Sequence, residues 1–434
     1  MGRGGSVVRL RLRMRIGAGA VSVCASVCTA VLLAGCTAAP DPAGGGRGGD
    51  AKNGDTAPLA GKGDAVRRPV PHGRGSGLPD DFNGDGHRDL VLNDLVKAAD
   101  DSYGDDAGIG IVYGTGAGGS GAPGSSGGGT ASGSGTGTGG GTGRGSGAAL
   151  DPAVRQILAP RTHGARVGGT LPAAFDAMAA CDLDKDGFGD LVIATDPPYD
   201  GTGMPPVPLQ LLFGGPSGLA GRAVVLRIPG AARFGNEWPD HPVCGDFDGD
   251  GSMDLAVTAS AGRVSFLRGP FSRAGAPRSA AAPVTGGGPA LEAPAPAADA
   301  DGDGYDDLVY SARAHKPGTA ARGALLLGGP DGPGRAGGSY RFKAVGLPLA
   351  PALPNGKGGS DGATDVRVAT DVLVSADFTG DERPDLVTRT HRGETADVIA
   401  LYEGTGGGAA GAGETGGGFA DRPVLTFSTS LFLK

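Results

Sequence analysis

Apolar residues in this chain come in short runs bounded by Gly, Pro and Asp. Five runs stand directly behind an acidic segment: Leu90-Val91-Leu92, Leu191-Val192-Ile193, Leu255-Ala256-Val257, Leu308-Val309-Tyr310 and Leu386-Val387. A second set ends in glycine: Ile111 to Gly114, Leu211 to Gly214, Leu325 to Gly328 and Leu401 to Gly404, with Ser265 to Gly269 as a weaker version. Others follow, such as Ala223 to Leu226 and Val424 to Phe427, and a last one, such as Val372 to Ala376, leads into the next acidic segment. Runs this short between turn-forming residues read as strands. Four short strands per unit describe a propeller blade better than a sandwich or a barrel. The expected fold is therefore all-β, a β-propeller of four-stranded blades with five repeats detected, or six or seven blades if further repeats are degenerate.

Each acidic segment carries oxygen-bearing side chains at positions 1, 3, 5 and 9 and, in four of five cases, Gly at position 6. Asp246-Phe247-Asp248-Gly249-Asp250-Gly251-Ser252-Met253-Asp254 shows the full pattern. Alternating carboxylates on a tight turn converge on one hard cation, and Gly supplies the positive φ of the bend. The segments start at Asp81, Asp182, Asp246, Asp299 and Asp377, with spacings of 101, 64, 53 and 78 residues. The first spacing falls to 69 once a 32-residue Gly/Ser insertion at 116–147 is set aside, which leaves no room for a hidden repeat. Asp and Gly are common in turns for backbone reasons alone, but five copies in register weigh against that reading. An EF-hand needs Glu at position 12; here that position holds Leu92, Ile193, Val257, Tyr310 and Thr388, so a strand follows instead of a helix. The fifth segment has Thr379 at position 3 and Glu382 at position 6. A non-Gly residue at positive φ costs roughly 1 kcal/mol, so weak or absent cation binding is expected there.

The loop and the strand behind it resemble the FG-GAP (VCBS-like) repeat of integrin α-subunit propellers and bacterial surface proteins. The resemblance runs from about Leu78 to the C-terminus, with five units against the seven blades usual for integrins. It implies calcium in the hairpin joining a blade's first two strands. By the family pattern the first loop offers Asp81, Asn83, Asp85, the carbonyl of His87, and Asp89. The second offers Asp182, Asp184, Asp186, Asp190 and the carbonyl of Phe188; the third, Asp246, Asp248, Asp250, Asp254 and that of Ser252. The fourth offers Asp299, Asp301, Asp303, Asp307 and the carbonyl of Tyr305, and the fifth only Asp377, Asp381 and Asp385. Four Ca²⁺ ions are expected.

Composition and charge fit this picture. The 88 Gly and 33 Pro argue for turns over long helices. Net charge is −8, and the Arg-rich first 35 residues contribute five positive charges, so the remainder carries −13. That disfavours nucleic acid as a partner. The Arg-rich start, the apolar stretch from Ile16 to Leu33 and the sequence Leu33-Ala34-Gly35-Cys36 look like a bacterial lipoprotein signal with its lipobox. The expected organisation is a signal peptide over 1–35, a lipid on Cys36, a flexible tether over 36–77 and a propeller over 78–434. Gly, Ala, Arg and Pro usage suggests a high-GC Gram-positive bacterium, with the protein a lipid-anchored monomer outside the cytoplasm. Cys181 and Cys244 stand at related places before their loops and form either a disulfide or two buried thiols.

A partner is expected on the face opposite the acidic loops, where the longer connections carry Tyr199, Asn236, Trp238, His315 and His391, with His163 and Arg166 nearby. No H-E-x-x-H, G-x-S-x-G or Walker-type loop is present. The sequence therefore reads as a non-catalytic binding or adhesion module for an extracellular protein or glycan. A lectin-like or polysaccharide-degrading protein and a structural envelope protein are the alternatives.

Overall fold

The computed structural model describes residues 67–93, 95, 108–116, 150–233, 241–259, 262–285, 290–292, 298–311, 322–341, 370–392, 395–405 and 418–432. They belong to one compact unit that includes Ala57–Lys434; a second unit, Arg11–Thr56, lies outside them. The signal, Cys36 and nearly all of the Gly/Ser insertion also lie outside, as do Asn236, Trp238 and His315.

Five antiparallel sheets form the blades of a five-bladed β-propeller, each made from one continuous stretch of chain. The first contains β1 (Leu90–Leu92), β2 (Ile109–Gly114) and β3 (Leu150–Leu158). The second runs β4 (Asp176–Cys181), β5 (Asp190–Ala194), β6 (Leu209–Leu212) and β7 (Val224–Val225). The third runs β8 (Val243–Gly245), β9 (Asp254–Ala259), β10 (Arg263–Arg268) and β11 (Ser279–Ala280), with β12 (Val284–Thr285) also paired to β10. The fourth has β13 (Ala290–Glu292), β14 (Leu308–Ser311), β15 (Arg322–Leu327) and β16 (Arg335–Arg341). The fifth has β17 (Thr370–Ala376), β18 (Asp385–Arg392), β19 (Thr395–Tyr402) and β20 (Leu425–Ser428). The acidic loops of the last four blades join the first strand to the second, and the loop at Asp81 leads into β1.

The apolar runs pack between blades. Ile109, Ile111 and Tyr113 of the first blade meet Leu191, Ile193 and Leu212 of the second. Val192 and Leu211 meet Leu255 and Leu267 of the third, and Phe266 meets Leu308 and Leu326 of the fourth. The ring closes by the same means: Leu90, Leu92 and Val112 pack against Val387, Ile399, Leu401 and Phe427 of the fifth blade. The residue at loop position 2 sits at the centre of four of these interfaces. Phe82, Leu183, Phe247 and Phe378 are all buried there, whereas Ala300 of the fourth loop is exposed.

Two further ties were less apparent from sequence. Cys181 and Cys244 form a disulfide joining the ends of β4 and β8, the first strands of neighbouring blades. Residues 67–77, expected to be the end of a flexible tether, instead form a fixed strap. The Arg68 N–H donates to the Ala153 carbonyl of β3, and those of Gly73 and Gly75 donate to the carbonyls of Asn83 and Gly84. The N–H of Ser76 reaches the carbonyl of Gly187 in the second loop. Gly-rich sequence looks like a linker; here it permits close approach, since a Cβ on Gly73 would lie 2.0 Å from the Gly84 carbonyl carbon.

Because Phe247 fills the interface between the third and fourth blades, Phe247→Ala is expected to cost about 3–5 kcal/mol of unfolding free energy, measured by urea denaturation. A loss below about 1 kcal/mol would show that the position-2 side chain does not join the blades.

Candidate metal centres at the acidic loops

The five loops share one backbone geometry, and their side chains build it. The position-1 carboxylate accepts the N–H groups of positions 5 and 6 in every loop: Asp81 takes Asp85 and Gly86 at 3.2 and 2.7 Å, and Asp246 takes Asp250 and Gly251 at 3.0 and 2.9 Å. Asp182, Asp299 and Asp377 do the same. The position-5 carboxylate accepts the position-7 N–H, so His87, Phe188, Ser252, Tyr305 and Arg383 are each turned by Asp85, Asp186, Asp250, Asp303 and Asp381. Positions 4 and 6 lie at positive φ throughout. Glycine fills most of these places; the exceptions are Lys185 at φ 61° and Glu382 at φ 65°.

Position 9 has a second role that the ligand pattern does not reveal. Asp89, Asp190, Asp254, Asp307 and Asp385 are buried at the start of the strand behind the loop. One oxygen of each accepts the N–H of the glycine at or just past the end of the following strand: Gly114, Gly214, Gly269, Gly328 and Gly404, at 2.8–3.0 Å. In four loops the other oxygen accepts the position-2 N–H, from Phe82, Leu183, Ala300 or Phe378. In the third loop Asp254 Oδ2 is buried without a partner. The strand-ending residue must be glycine because its missing Cβ would fall 2.1–2.5 Å from the position-8 carbonyl in every blade.

The loops also touch one another. The position-2 carbonyls of Phe82, Leu183 and Phe247 accept N–H groups of Gly215, Phe271 and Gly329, each from the following blade. The rings of Phe188 and Tyr305 lie over Gly84 and Gly249 of the preceding loops.

What remains for a cation is position 3. Its side-chain oxygen is buried and has no hydrogen-bond partner in four loops: Asn83 Oδ1, Asp184 Oδ1, Asp248 Oδ1 and Thr379 Oγ1. An unpaired buried oxygen costs about 1–3 kcal/mol, so its recurrence at one position fits a ligand for a hard cation. Carboxylate oxygens gather within 4.8 Å of one another in three groups: Asp182, Asp184 and Asp190; Asp246, Asp248 and Asp250; and Asp299, Asp301 and Asp303. Burial pushes the Asp190 carboxyl up to about 8 and that of Asp254 up to about 7, against the pull of the strand-ending N–H groups. Burial, reinforced by Asp186, raises Asp184 to about 6, and burial raises Asp89 well above the ordinary carboxylate range.

Arginines that carry no spacing signal also reach the loops. Arg273, in the turn after β10, lies 2.8 Å from Asp184 Oδ2 and pairs with Asp186. Arg278 pairs with Asp250, and Arg335 stands 3.3 Å from Asp303. The Nε of Arg268 is 2.8 Å from Asp248 Oδ2 but outside hydrogen-bonding geometry, making this a close ionic contact.

On the opposite side, Tyr199 is exposed in the β5–β6 connection, with its hydroxyl donating to the Gly203 carbonyl. His391 is on the fifth blade, its Nε2 2.8 Å from Asp371 and its Nδ1 3.4 Å from Asp397. His163 Nδ1 accepts the Ala159 N–H, and Arg166 donates to the Gly169 carbonyl. The segment with His163 and Arg166 is bonded to the second blade, which also carries Tyr199, whereas His391 stands on the fifth.

Replacing Glu382 with glycine is expected to stabilise the protein by about 1 kcal/mol, since the left-handed conformation is then free of Cβ strain. Thermal melting in EDTA measures this; an unchanged or lower midpoint would contradict it.

Residues 246–310, from the third loop through β14, match the family model of the FG-GAP-like repeat. No curated protein matches the chain. The matched stretch begins at the third loop and ends just past the fourth, both with the full acidic pattern, so the chain is a five-bladed β-propeller carrying an FG-GAP-like repeat.

Proposed function

We propose that this propeller is a calcium-stabilised, non-catalytic binding module, tethered outside the cell by a lipid on Cys36, with its partner an extracellular protein or glycan. The observation that carries the metal reading is the buried, unpartnered position-3 oxygen of the first three loops; the fifth loop shows it too through Thr379, whereas Asp301 of the fourth is exposed and joins only the carboxylate cluster. A non-catalytic role fits the acidic residues, whose side chains are committed to loop backbone and blade junctions. The lipid anchor rests on Leu33-Ala34-Gly35-Cys36 alone.

Calcium, when bound, supplies positive charge and a shared coordination centre. Asp81, Asn83 and Asp85 would hold it in the first loop, and Asp182, Asp184, Asp186 and Asp190 in the second. Asp246, Asp248, Asp250 and Asp254 would do so in the third, and Asp299, Asp301 and Asp303 in the fourth. The carbonyls of His87, Phe188, Ser252 and Tyr305 belong to the same sets. The 15 Asp residues at positions 1, 3, 5 and 9 of these four loops repel one another, and four divalent ions would take a chain charge of −13 to −5.

Extracellular calcium modules bind at about 10⁻⁴ to 10⁻³ M, and tenfold saturation stabilises by about 1.4 kcal/mol per site. Four such sites contribute about 5–6 kcal/mol, comparable to the net stability of a domain. Removing calcium with EDTA is therefore expected to lower the melting midpoint by about 10 °C. An unchanged midpoint would refute the metal reading.

A pH effect should accompany it. In the cation-free fold the carboxyls of Asp184, Asp190 and Asp254 titrate at about 6, 8 and 7, above their unfolded value of 3.8. The folded state thus holds protons that the unfolded chain has released. The contribution of these three groups is fully present below about pH 4 and is lost as pH rises to about 8. Melting in EDTA should show a midpoint at pH 8 below that at pH 5, and saturating calcium should remove or reverse the slope. A midpoint that rises with pH in EDTA would contradict the assignment.

A further inference from the structure

The five loops resemble one another in backbone but differ in what covers them. In the first loop, Asp81, Asn83 and Gly84 are buried, whereas position 4 is exposed in each of the other loops. The cover is the strap. Gly73 and Gly75 hydrogen-bond to the carbonyls of Asn83 and Gly84, and Asn83 Nδ2 donates to the Pro71 carbonyl at 2.9 Å and to Asp85 Oδ2 at 3.1 Å. With both donors of its amide engaged in this way, Asn83 turns Oδ1 into the loop, where it is fully buried and unpartnered. Among the described residues no arginine or lysine pairs with Asp81 or Asp85; the nearby Arg88 is paired at 2.6 Å with Asp80, outside the ligand set.

The third loop is the opposite case. Arg268 and Arg278 stand against Asp248 and Asp250, so two positive charges offset its four carboxylates. Arg268 occupies the place before the strand-ending glycine, where the other blades have Tyr113, Phe213, Leu327 and Glu403. Its guanidinium also lies 5.2 Å from the centre of the Phe266 ring, which holds it over the loop. The second and fourth loops have one arginine each, Arg273 and Arg335.

We propose that the loops form a graded series: the first is a cation site locked by the 67–77 strap, and the third is held by its own arginines and binds cation most weakly of the four acid-rich loops. The inference rests on the calcium reading above and adds the regulation of those sites. The strap excludes water from the first site and orients its amide ligand, which slows loss of the ion. The arginines neutralise outer carboxylate oxygens, so the third loop keeps its shape without the ion and gains less from binding it. A loop with the full acidic pattern, the third, is then the weakest of the four, and the first, with Asn83 at position 3, is the strongest.

Calcium titration of the full chain by isothermal calorimetry tests this, with circular dichroism to verify folding of each variant. The wild-type chain should show one ion bound at least about tenfold more tightly than the rest. Gly73→Val, which displaces the strap, should remove that tight class and leave the weaker ones. Arg268→Gln combined with Arg278→Gln, the first side chain half-buried and the second exposed, should strengthen one weak site by about tenfold, the effect of removing like charge near a divalent ion at high effective dielectric. One common affinity that the arginine substitutions leave unmoved would overturn the proposal while sparing the calcium reading. Absence of any calcium binding would overturn both. If Gly73→Val fails to fold, the wild-type titration decides the first site, since the lack of a single tight class would overturn it, and the arginine pair decides the third.

Discussion

The structure depends on one buried carboxylate per blade. Asp89, Asp190, Asp254, Asp307 and Asp385 each accept the N–H of a strand-ending glycine, and four of them also accept the N–H at loop position 2. That clamp holds the loop to its own blade and presents the position-2 side chain to the next. Phe82, Leu183, Phe247 and Phe378 then fill the space between blades, and three position-2 carbonyls bond across the same junctions. A buried carboxylate without such donors would carry a large desolvation cost. Here the donors are backbone groups that also need partners, so loop and strand satisfy each other.

The fourth loop shows what happens when one part is missing. Ala300 is exposed at position 2, although Asp307 still receives both N–H groups. The clamp within the blade survives, while the apolar anchor toward the fifth blade is lost. Closure of the ring does not use that junction: the fifth blade packs on the first through Phe378, Val387 and Leu401 against Leu90 and Leu92. Arg389 adds a hydrogen bond to the Asn93 carbonyl at 2.6 Å, and Asn93 in turn bonds both backbone groups of Ala177 in the second blade. Side-chain packing and a few polar staples thus close a ring whose blades are each drawn from consecutive sequence.

Much of this was legible in the sequence because its signals are one-dimensional. Spacings of two between acids, Gly at position 6, the apolar run behind position 9 and the strand ending in Gly all survive as fixed offsets, and the five blades follow from their recurrence. The strain at Glu382 was visible for the same reason. Position 9 was only half legible: a carboxylate there reads as a ligand, and nothing in its spacing reveals the glycine N–H some 15–25 residues away. Arg268, Arg273, Arg278 and Arg335 could not be found, because their contacts depend on how each turn folds back, within the blade for three of them and across to the preceding blade for Arg273. The strap was hidden by its composition, since glycines that permit close packing are written with the same letter as glycines in a linker. Asp246 to Asp254, which shows the full pattern in sequence, is in the fold one clip of five, and the most crowded by arginine.

The central claim is that the acidic loops are structural clips through which cation binding tightens the junctions between blades. Amide hydrogen exchange with and without calcium measures this directly. The account predicts that calcium slows exchange at loop positions 2, 5 and 6 and also at Gly215, Phe271 and Gly329, the amides donated across blade junctions. Exchange at those junction amides that is indifferent to calcium, at concentrations where the ion is bound, would contradict it.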